Sequence, residues 1–258
     1  MNQNERREYM IKALLDERGE YEEDTVLPVD ELGQKRMLRA LMNVRMPGTI
    51  DSGFLDIQND YLQIENSNRQ IVDAANLPEI KSGISVWQGS ITELKCDAIV
   101  NAANSGMTGC YTPNHTCIDN CIHTYAGVQL RLECAEIISK QGHEEVTGSA
   151  KITKGYNLPC RYVLHTVGPI IMGAVTKRDE ELLASCYRSC LELAADNELE
   201  SIAFCCISTG VFHFPNRRAA EIAVDTVDEF MKKNTSIKKV IFNVFKDDDR
   251  KIYEELLR

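Results

Sequence analysis

After residue 80, short apolar runs alternate with longer amphipathic segments, and this alternation constrains the fold more than any other feature of the chain. The runs lie at 84–88, 98–102, 162–166, 202–207 and 240–245. The amphipathic segments lie at 118–140, 179–197, 216–233 and 248–257. Strands that are apolar on both faces and are separated by helices are typical of a largely parallel sheet covered on both sides. We therefore predict an α/β fold with helices on both faces of the sheet.

The first 80 residues have helical periodicity instead. One apolar stripe contains Met10, Ile11, Leu14 and Leu15, and Asp30 is placed to cap a second helix with a similar stripe. A third helix is predicted around 54–62. We predict two regions, a helical extension over 1–80 that packs on the core and an α/β domain over 81–258.

Charge and composition exclude several classes of partner. The chain has 29 basic and 39 acidic residues in 258, for a net charge of −10 at pH 7. Such a surface repels nucleic-acid backbones and anionic membranes, so we expect no nucleic-acid and no membrane partner. An anionic small ligand remains compatible where backbone N–H groups hold it. No apolar run approaches the ~20 residues of a membrane span.

Cysteine usage points to a reducing compartment. The chain has 10 cysteines, and several lie in apolar segments such as 204–207. This usage fits free thiols and not a disulfide framework. The N-terminal residues contain no apolar leader segment. We therefore expect a soluble, cytoplasmic protein.

In sheets of this kind ligands bind at the carboxyl ends of the strands, so the residues that follow each run are the first candidates. One run is followed by Ser208, Thr209, Gly210, Val211 and Phe212, before a helix that opens near Pro215. A small glycine-containing loop can point successive N–H groups at a phosphate. Glycine in such a turn can equally serve local geometry alone.

A second strand end carries the stretch GCYTPNHTC, which holds Cys110, His115 and Cys117. Thiolates and imidazole are the preferred ligands of zinc, and three protein ligands leave a coordination position open for water or substrate. The alternatives are two small buried cysteines with a solvated histidine, or a structural zinc with a fourth ligand. Cys121 is the possible fourth ligand, although a place in the core suits it as well.

Asp119 falls in the first turn of the helix that follows this stretch. An acid there favours the helix dipole, but beside a metal it could also orient water or a sugar hydroxyl. His123, His165 and His213 are isolated in the sequence, and we predict structural or solvated roles for them.

Three segments in order resemble one known family. They are WQGSITELKCDAIVNAAN at 87–104, HTVGP at 165–169 and ISTGVFHFP at 207–215, and all three resemble segments of macrodomains. The cysteine–histidine insertion and the helical extension resemble the zinc-containing branch, whose members are protein-ADP-ribosyl hydrolases. The resemblance implies a three-layer α/β/α macrodomain with a mixed, mostly parallel sheet, an ADP-ribose ligand, and Zn²⁺ held by Cys110, His115 and Cys117.

The resemblance also assigns roles residue by residue. Ser90 and Ile91 would lie at the adenine end, Asn104 would face the distal ribose, and 208–212 would wrap the diphosphate and ribose. Asp119 stands where related hydrolases carry a catalytic aspartate, so Asp119 and Asn104 are the catalytic candidates. Ser90 replaces the family's usual aspartate, and a neutral acceptor should bind the adenine amino group less strongly.

The resulting hypothesis is a zinc-dependent hydrolase that removes ADP-ribose from mono-ADP-ribosylated protein side chains. Its expected partners are ADP-ribose and an ADP-ribosylated protein. The alternatives are a module that binds ADP-ribose without cleaving it and a deacetylase of O-acetyl-ADP-ribose.

Overall fold

The structure is a computed structural model that describes residues 1–20, 22, 26–233 and 235–258. The part of the predicted extension at 21 and 23–25 therefore lies outside the described residues. The α-helices of the described residues are α1 Gln3–Glu17, α2 Glu31–Val44, α3 Ser52–Ser67, α4 Ile118–Ala126, α5 Val128–Gln141, α6 Lys177–Asp196, α7 Asn216–Met231 and α8 Asp247–Leu256. None of the helices in the described ranges is long and apolar enough to cross a bilayer.

A six-stranded sheet forms the centre of the molecule, in the spatial order β2-β8-β7-β4-β6-β5. Its strands are β2 Ile84–Gln88, β4 Ala98–Ala103, β5 Ala150–Lys154, β6 Tyr162–Val167, β7 Ser201–Phe204 and β8 Lys239–Val244. The short strands β1 Val72–Asp73 and β3 Leu94–Lys95 pair separately. Every pairing in the large sheet is parallel except that of β5 with β6. The predicted mixed, mostly parallel α/β sheet is confirmed.

Three sequence predictions were wrong in detail. β5 was missed because its sequence, AKITK, contains two lysines and is not the continuous apolar run that marks the inner strands; β5 lies at the edge of the sheet. The strand predicted at 202–207 spans only Ser201–Phe204. The helix predicted at 118–140 is two helices, because Gly127 has a φ of 97° and a ψ of 173° and ends α4. A side chain at Gly127 would also meet Gln58 of α3 at 2.7 Å.

The extension has an apolar core of its own. Its members come from α1, α2 and α3, joined by Val128 of α5, and they are Met10, Ile11, Leu14, Leu15, Leu38, Leu41, Met42, Phe54, Tyr61 and Leu62. A separate, larger core surrounds the six-stranded sheet. Much of the contact between the two regions is polar, since Gln58 accepts from the N–H of Val128 at 3.0 Å and Asn66 donates to the carbonyl of Asn157 at 2.7 Å.

The parallel pairing places the candidate site. β4 lies between β6 and β7, so the carboxyl ends of these three strands meet at one edge of the sheet. The loops after β4 and β7 leave this edge side by side. The N–H of Ile171, in the loop after β6, bonds the carbonyl of Phe212 at 2.9 Å and ties two of these loops together.

Candidate active site

The carboxylate of Asp119 lies at the start of α4, above the end of β4, and is buried. The side-chain amide of Asn101 donates to its Oδ1 at 2.8 Å. The amide of Asn104 lies 3.5 Å from its Oδ2 and donates to the carbonyl of Gly109 at 3.1 Å. Burial raises the pKa of Asp119 to about 6, although the Asn101 hydrogen bond and the charge of Arg131 act in the opposite direction. Asp119 and Asn104 are therefore adjacent, as their catalytic assignment requires.

Cys110, His115 and Cys117 converge on the loop that leads into α4, and Cys117 caps the helix whose first turn contains Asp119. Their ligand atoms all lie within 4.8 Å of one another, and Cys110 Sγ lies 3.6 Å from His115 Nδ1. A tetrahedral zinc ion with ordinary bond lengths separates a sulfur and a nitrogen ligand by about 3.6 Å. Both the donor types and this separation fit zinc, so these residues form a candidate metal centre.

Two further observations bear on this centre. Burial raises the pKa of the Cys117 thiol to about 12, so the thiolate is unfavourable here without a neighbouring positive charge. A bound cation would lower this pKa, because it stabilises the thiolate. Cys121 is not part of the converging group, and its sulfur instead lies 3.6 Å from Arg39 Nη2. The three-ligand arrangement is thus the one that the described residues bring together, without Cys121.

The loop over 208–212 offers unpaired donors. Within 208–212, the N–H of Thr209 is used in a bond to the carbonyl of Cys206. Just after the loop, the N–H groups of His213 and Phe214 bond the carbonyls of Gly210 and Ser208. Across the described residues, no protein acceptor bonds the N–H groups of the remaining members, which are Ser208, Gly210, Val211 and Phe212. Ser208 has a φ of 64°, which is left-handed, and its buried hydroxyl has no hydrogen-bond partner in the part of the chain that the structure describes. Free N–H groups at a strand end can hold a phosphate.

Ser90 and Ile91 lie between β2 and β3. The side chain of Ile91 is buried in the core around the sheet, so a binding role would fall to its backbone. Ser90 Oγ lies 2.8 Å from Thr92 Oγ1 and accepts from Arg69 Nη2 at 3.3 Å. An arginine therefore stands next to the position where the family usually has an aspartate.

His123 and His165, which are isolated in the sequence, come together in the structure, and both are buried. Their rings lie 6.2 Å apart, and with Cys134 they form a buried cluster whose ligand atoms lie within 4.8 Å of one another. His123 Nε2 is 3.6 Å from Asp119 Oδ1. Burial lowers the pKa of both histidines, that of His165 to about 3, so both rings are neutral. The four-residue spacing of Asp119 and His123 on one helix was the signal that could have found this pair.

Together, the fold and the site define an α/β protein whose carboxyl sheet edge carries a buried carboxylate and a loop with N–H groups that no described residue accepts from. The family model "Macro domain" matches residues 100–223. A protein from Treponema medium named "Protein-ADP-ribose hydrolase" is 56% identical, and the match covers all of both chains. One of the same name from Staphylococcus aureus (strain MSSA476) is 51% identical over 97% of this chain and 94% of its own.

A solved structure supports the same assignment. The Trypanosoma brucei macrodomain in complex with ADP-ribose superposes with a TM-score of 0.67 at 33% identity, over 83% of this chain and 93% of that one. The chain belongs to the macrodomain family. The predicted fold and family are thereby confirmed, whereas zinc binding and the roles of individual residues stay predictions.

Proposed function

We propose that this protein is a zinc-dependent hydrolase that removes ADP-ribose from mono-ADP-ribosylated protein side chains. The observation that carries the proposal is that the buried Asp119 lies in the first turn of the helix that Cys117 of the Cys110–His115–Cys117 centre caps, at the sheet edge where the loop 208–212 presents N–H groups that no described residue accepts from. The names of the full-length relatives support removal of ADP-ribose from proteins. The free thiols support a cytoplasmic location.

Each group has a task in this proposal. The N–H groups of 208–212 bind the diphosphate, and the region of Ser90 and Ile91 binds adenine. Asn104 directs its amide N–H into the site, while its Oδ1 accepts no hydrogen bond within the described chain and is available to a ribose hydroxyl. These contacts fix the distal ribose next to Asp119.

The proposed reaction breaks the bond between the distal ribose C1″ and an acceptor oxygen from Asp, Glu or Ser. Asp119 orients the attacking water and accepts its proton, the water's oxygen stays on C1″ as a hydroxyl group, and the C1″–O bond breaks as Asp119 passes that proton on to the departing acceptor oxygen. Asn101 holds the carboxylate in place throughout. A zinc ion bound by Cys110, His115 and Cys117 would act as a Lewis acid toward an oxygen of the substrate or of water.

The test is a single-turnover assay on proteins that carry ADP-ribose through one defined linkage each. The purified protein, a zinc-free sample prepared with a chelator, and the same sample after zinc addition are compared for release of free ADP-ribose. We expect about one zinc per chain, release by the first sample, loss in the second and recovery in the third.

The other outcomes separate the alternatives. Full activity in a sample proven free of zinc would contradict zinc dependence. Tight binding of ADP-ribose without release from any linkage would favour a binding module. Turnover of O-acetyl-ADP-ribose but of no modified protein would favour the deacetylase.

A further inference from the structure

We propose that α2 of the helical extension belongs to the active site, because its residues Arg39 and Asn43 hold the loop 109–117 in the shape that brings the metal-binding side chains together. Both are positioning residues in this proposal. The inference rests on the proposed function for its effect on turnover, but its effect on the loop can be measured separately.

Asn120 is the centre of the arrangement. It is fully buried in the first turn of α4, and its side-chain amide donates to the carbonyl oxygens of Cys110 at 3.3 Å and Thr112 at 3.0 Å. Its backbone N–H donates to Cys117 Sγ at 3.4 Å. One residue thus bonds both ends of the loop that carries the metal-binding side chains.

Arg39 fixes the orientation of that amide. Its Nη2 donates to Asn120 Oδ1 at 3.0 Å and to the carbonyl oxygen of His115 at 2.8 Å. Because a guanidinium can only donate, Asn120 must present its oxygen to Arg39 and its NH₂ group to the loop. Without Arg39, Asn120 Oδ1 would keep only the longer bond from Thr124 Oγ1, at 3.4 Å, and the carbonyl of His115 would lose its bond to Arg39.

Asn43 holds the tip of the loop from the next turn of α2. Its Oδ1 accepts from the N–H of Asn114 at 2.9 Å, and its amide donates to Thr124 Oγ1 at 3.0 Å. Asn114 has a φ of 56°, a left-handed conformation that is unfavourable for residues other than glycine, although asparagine tolerates it best. Asn43 is 1% exposed, so this bond is shielded from water.

Arg131 of α5 fixes the end of α2 itself. Its Nη1 donates to the carbonyl oxygens of Asn43 at 2.8 Å and Met42 at 3.2 Å, which lie in the last turn of α2. Its guanidinium also lies 4.4 Å from the ring centroid of Tyr111 in the loop. The last turn of a helix leaves carbonyl groups without partners, and Arg131 satisfies them while it packs on the loop.

A metal site binds more strongly when its ligands are already in place, and outer residues that orient ligands typically change metal affinity by 10–100-fold. The test compares Arg39→Met with Arg36→Met, an exposed arginine on the same helix. Zinc affinity is measured by competition with a chelator, and hydrogen exchange of 109–117 is measured on the metal-free protein. We expect about a 10-fold or greater loss of zinc affinity and faster exchange in Arg39→Met alone, with ADP-ribose affinity within about 2-fold of the wild type.

Zinc affinity and exchange in Arg39→Met that equal those of Arg36→Met would overturn the inference. If the wild type bound no zinc, the proposed function would fail, and the exchange rates of the metal-free loop would still decide the inference. Arg39→Lys and Asn43→Ala provide the test if Arg39→Met does not fold. Arg39→Lys keeps the charge and should give an intermediate zinc affinity, while Asn43→Ala should speed exchange around Asn114; wild-type values in both would overturn the inference.

Discussion

Asn101 donates its side-chain amide to Oδ1 of Asp119 at 2.8 Å, and the same nitrogen lies 3.1 Å from His165 Nδ1. An amide NH₂ group has two hydrogens, so it can serve both acceptors. His165 is neutral because burial lowers its pKa to about 3, and its Nε2 lies 2.9 Å from Thr153 Oγ1. This arrangement assigns the proton of His165 to Nε2 and fixes the direction of the carboxylate.

Asn101→Ala should lower turnover by roughly 10–100-fold, because a hydrogen bond to a charged group is worth about 1.5–3 kcal/mol. ADP-ribose affinity should change by less than about 3-fold, since the diphosphate donors lie on another loop. Single-turnover rates and a binding titration check both values. The control is Asn197→Ala, an exposed asparagine at the end of α6. Wild-type turnover in Asn101→Ala would show that the carboxylate needs no such support.

Ser90→Asp should tighten ADP-ribose binding about 5-fold, equivalent to ~1 kcal/mol, because a carboxylate accepts a stronger hydrogen bond than a hydroxyl. Ser90→Asn is the matched variant with a neutral acceptor and should give a smaller gain. Calorimetry measures both dissociation constants. Unchanged or weaker binding in Ser90→Asp would mean that the adenine is recognised by another group, or that Arg69 occupies the new carboxylate.

Gly210→Val should weaken ADP-ribose binding without lowering the melting temperature. Gly210 is exposed, and a Cβ built there meets no atom within 4 Å, so the fold itself does not need glycine at this position. A branched side chain should nevertheless obstruct the approach of a phosphate to the neighbouring N–H groups. Gly48→Val, at a similarly open position in the extension, is the control for thermal stability. If affinity survives in Gly210→Val, the diphosphate is bound elsewhere.

Asp97 should stabilise the fold in a pH-dependent way. Its Oδ2 accepts from the N–H groups of Glu200 and Ser201 at 3.0 Å each, and its Oδ1 accepts from Arg161 at 3.0 Å. Burial raises the pKa of Asp97, but the hydrogen bonds from Glu200, Arg161 and Ser201 outweigh it and hold the pKa below its ordinary value. Asp97→Ala should cost roughly 1–3 kcal/mol in free energy of unfolding at pH 7.

The sign of this dependence follows from the lowered pKa. The stabilisation is complete above the ordinary aspartate pKa of about 3.9 and disappears as the pH falls through the lower folded-state value. Urea unfolding at several pH values between 7 and 3 measures the free energy of unfolding of the wild type and of Asp97→Ala. The difference between the two free energies should become smaller below pH 4. Asp196→Ala, an exposed aspartate, is the control. A difference in free energy of unfolding that grows toward pH 3 would contradict the lowered pKa of Asp97.

Much of the architecture could be predicted because local patterns and burial agree. Strands such as Ala98–Ala103 are buried along nearly their whole length, so they appear in the sequence as apolar runs. The helices between the strands are predicted by the spacing of their apolar residues. The metal-binding candidates were found because Cys110, His115 and Cys117 lie within eight residues of one another. The spacing shows that these residues share one loop, but it does not show the hydrogen bonds that join this loop to Arg39 and Asn43 of α2.

The features that the sequence did not predict depend on contacts between distant segments. Cys134 and His165 lie 31 residues apart and meet because α5 packs beside β5, the neighbour of β6 in the sheet. Arg39 and Asn43 appear in the sequence as ordinary polar residues of an amphipathic helix, and their bonds to 114–124 span more than 70 positions. No periodicity or motif encodes such pairings.

The most direct test of the central claim is a combined measurement on His115→Ala, with Thr116→Ala, an exposed neighbour, as the control. Zinc content, ADP-ribose affinity and single-turnover release of ADP-ribose from a modified protein are measured on each variant. We expect His115→Ala to lose its zinc and about 100-fold or more of its turnover, while its ADP-ribose affinity stays within about 3-fold of the wild type. Wild-type turnover in a His115→Ala protein that holds no zinc would contradict the central claim.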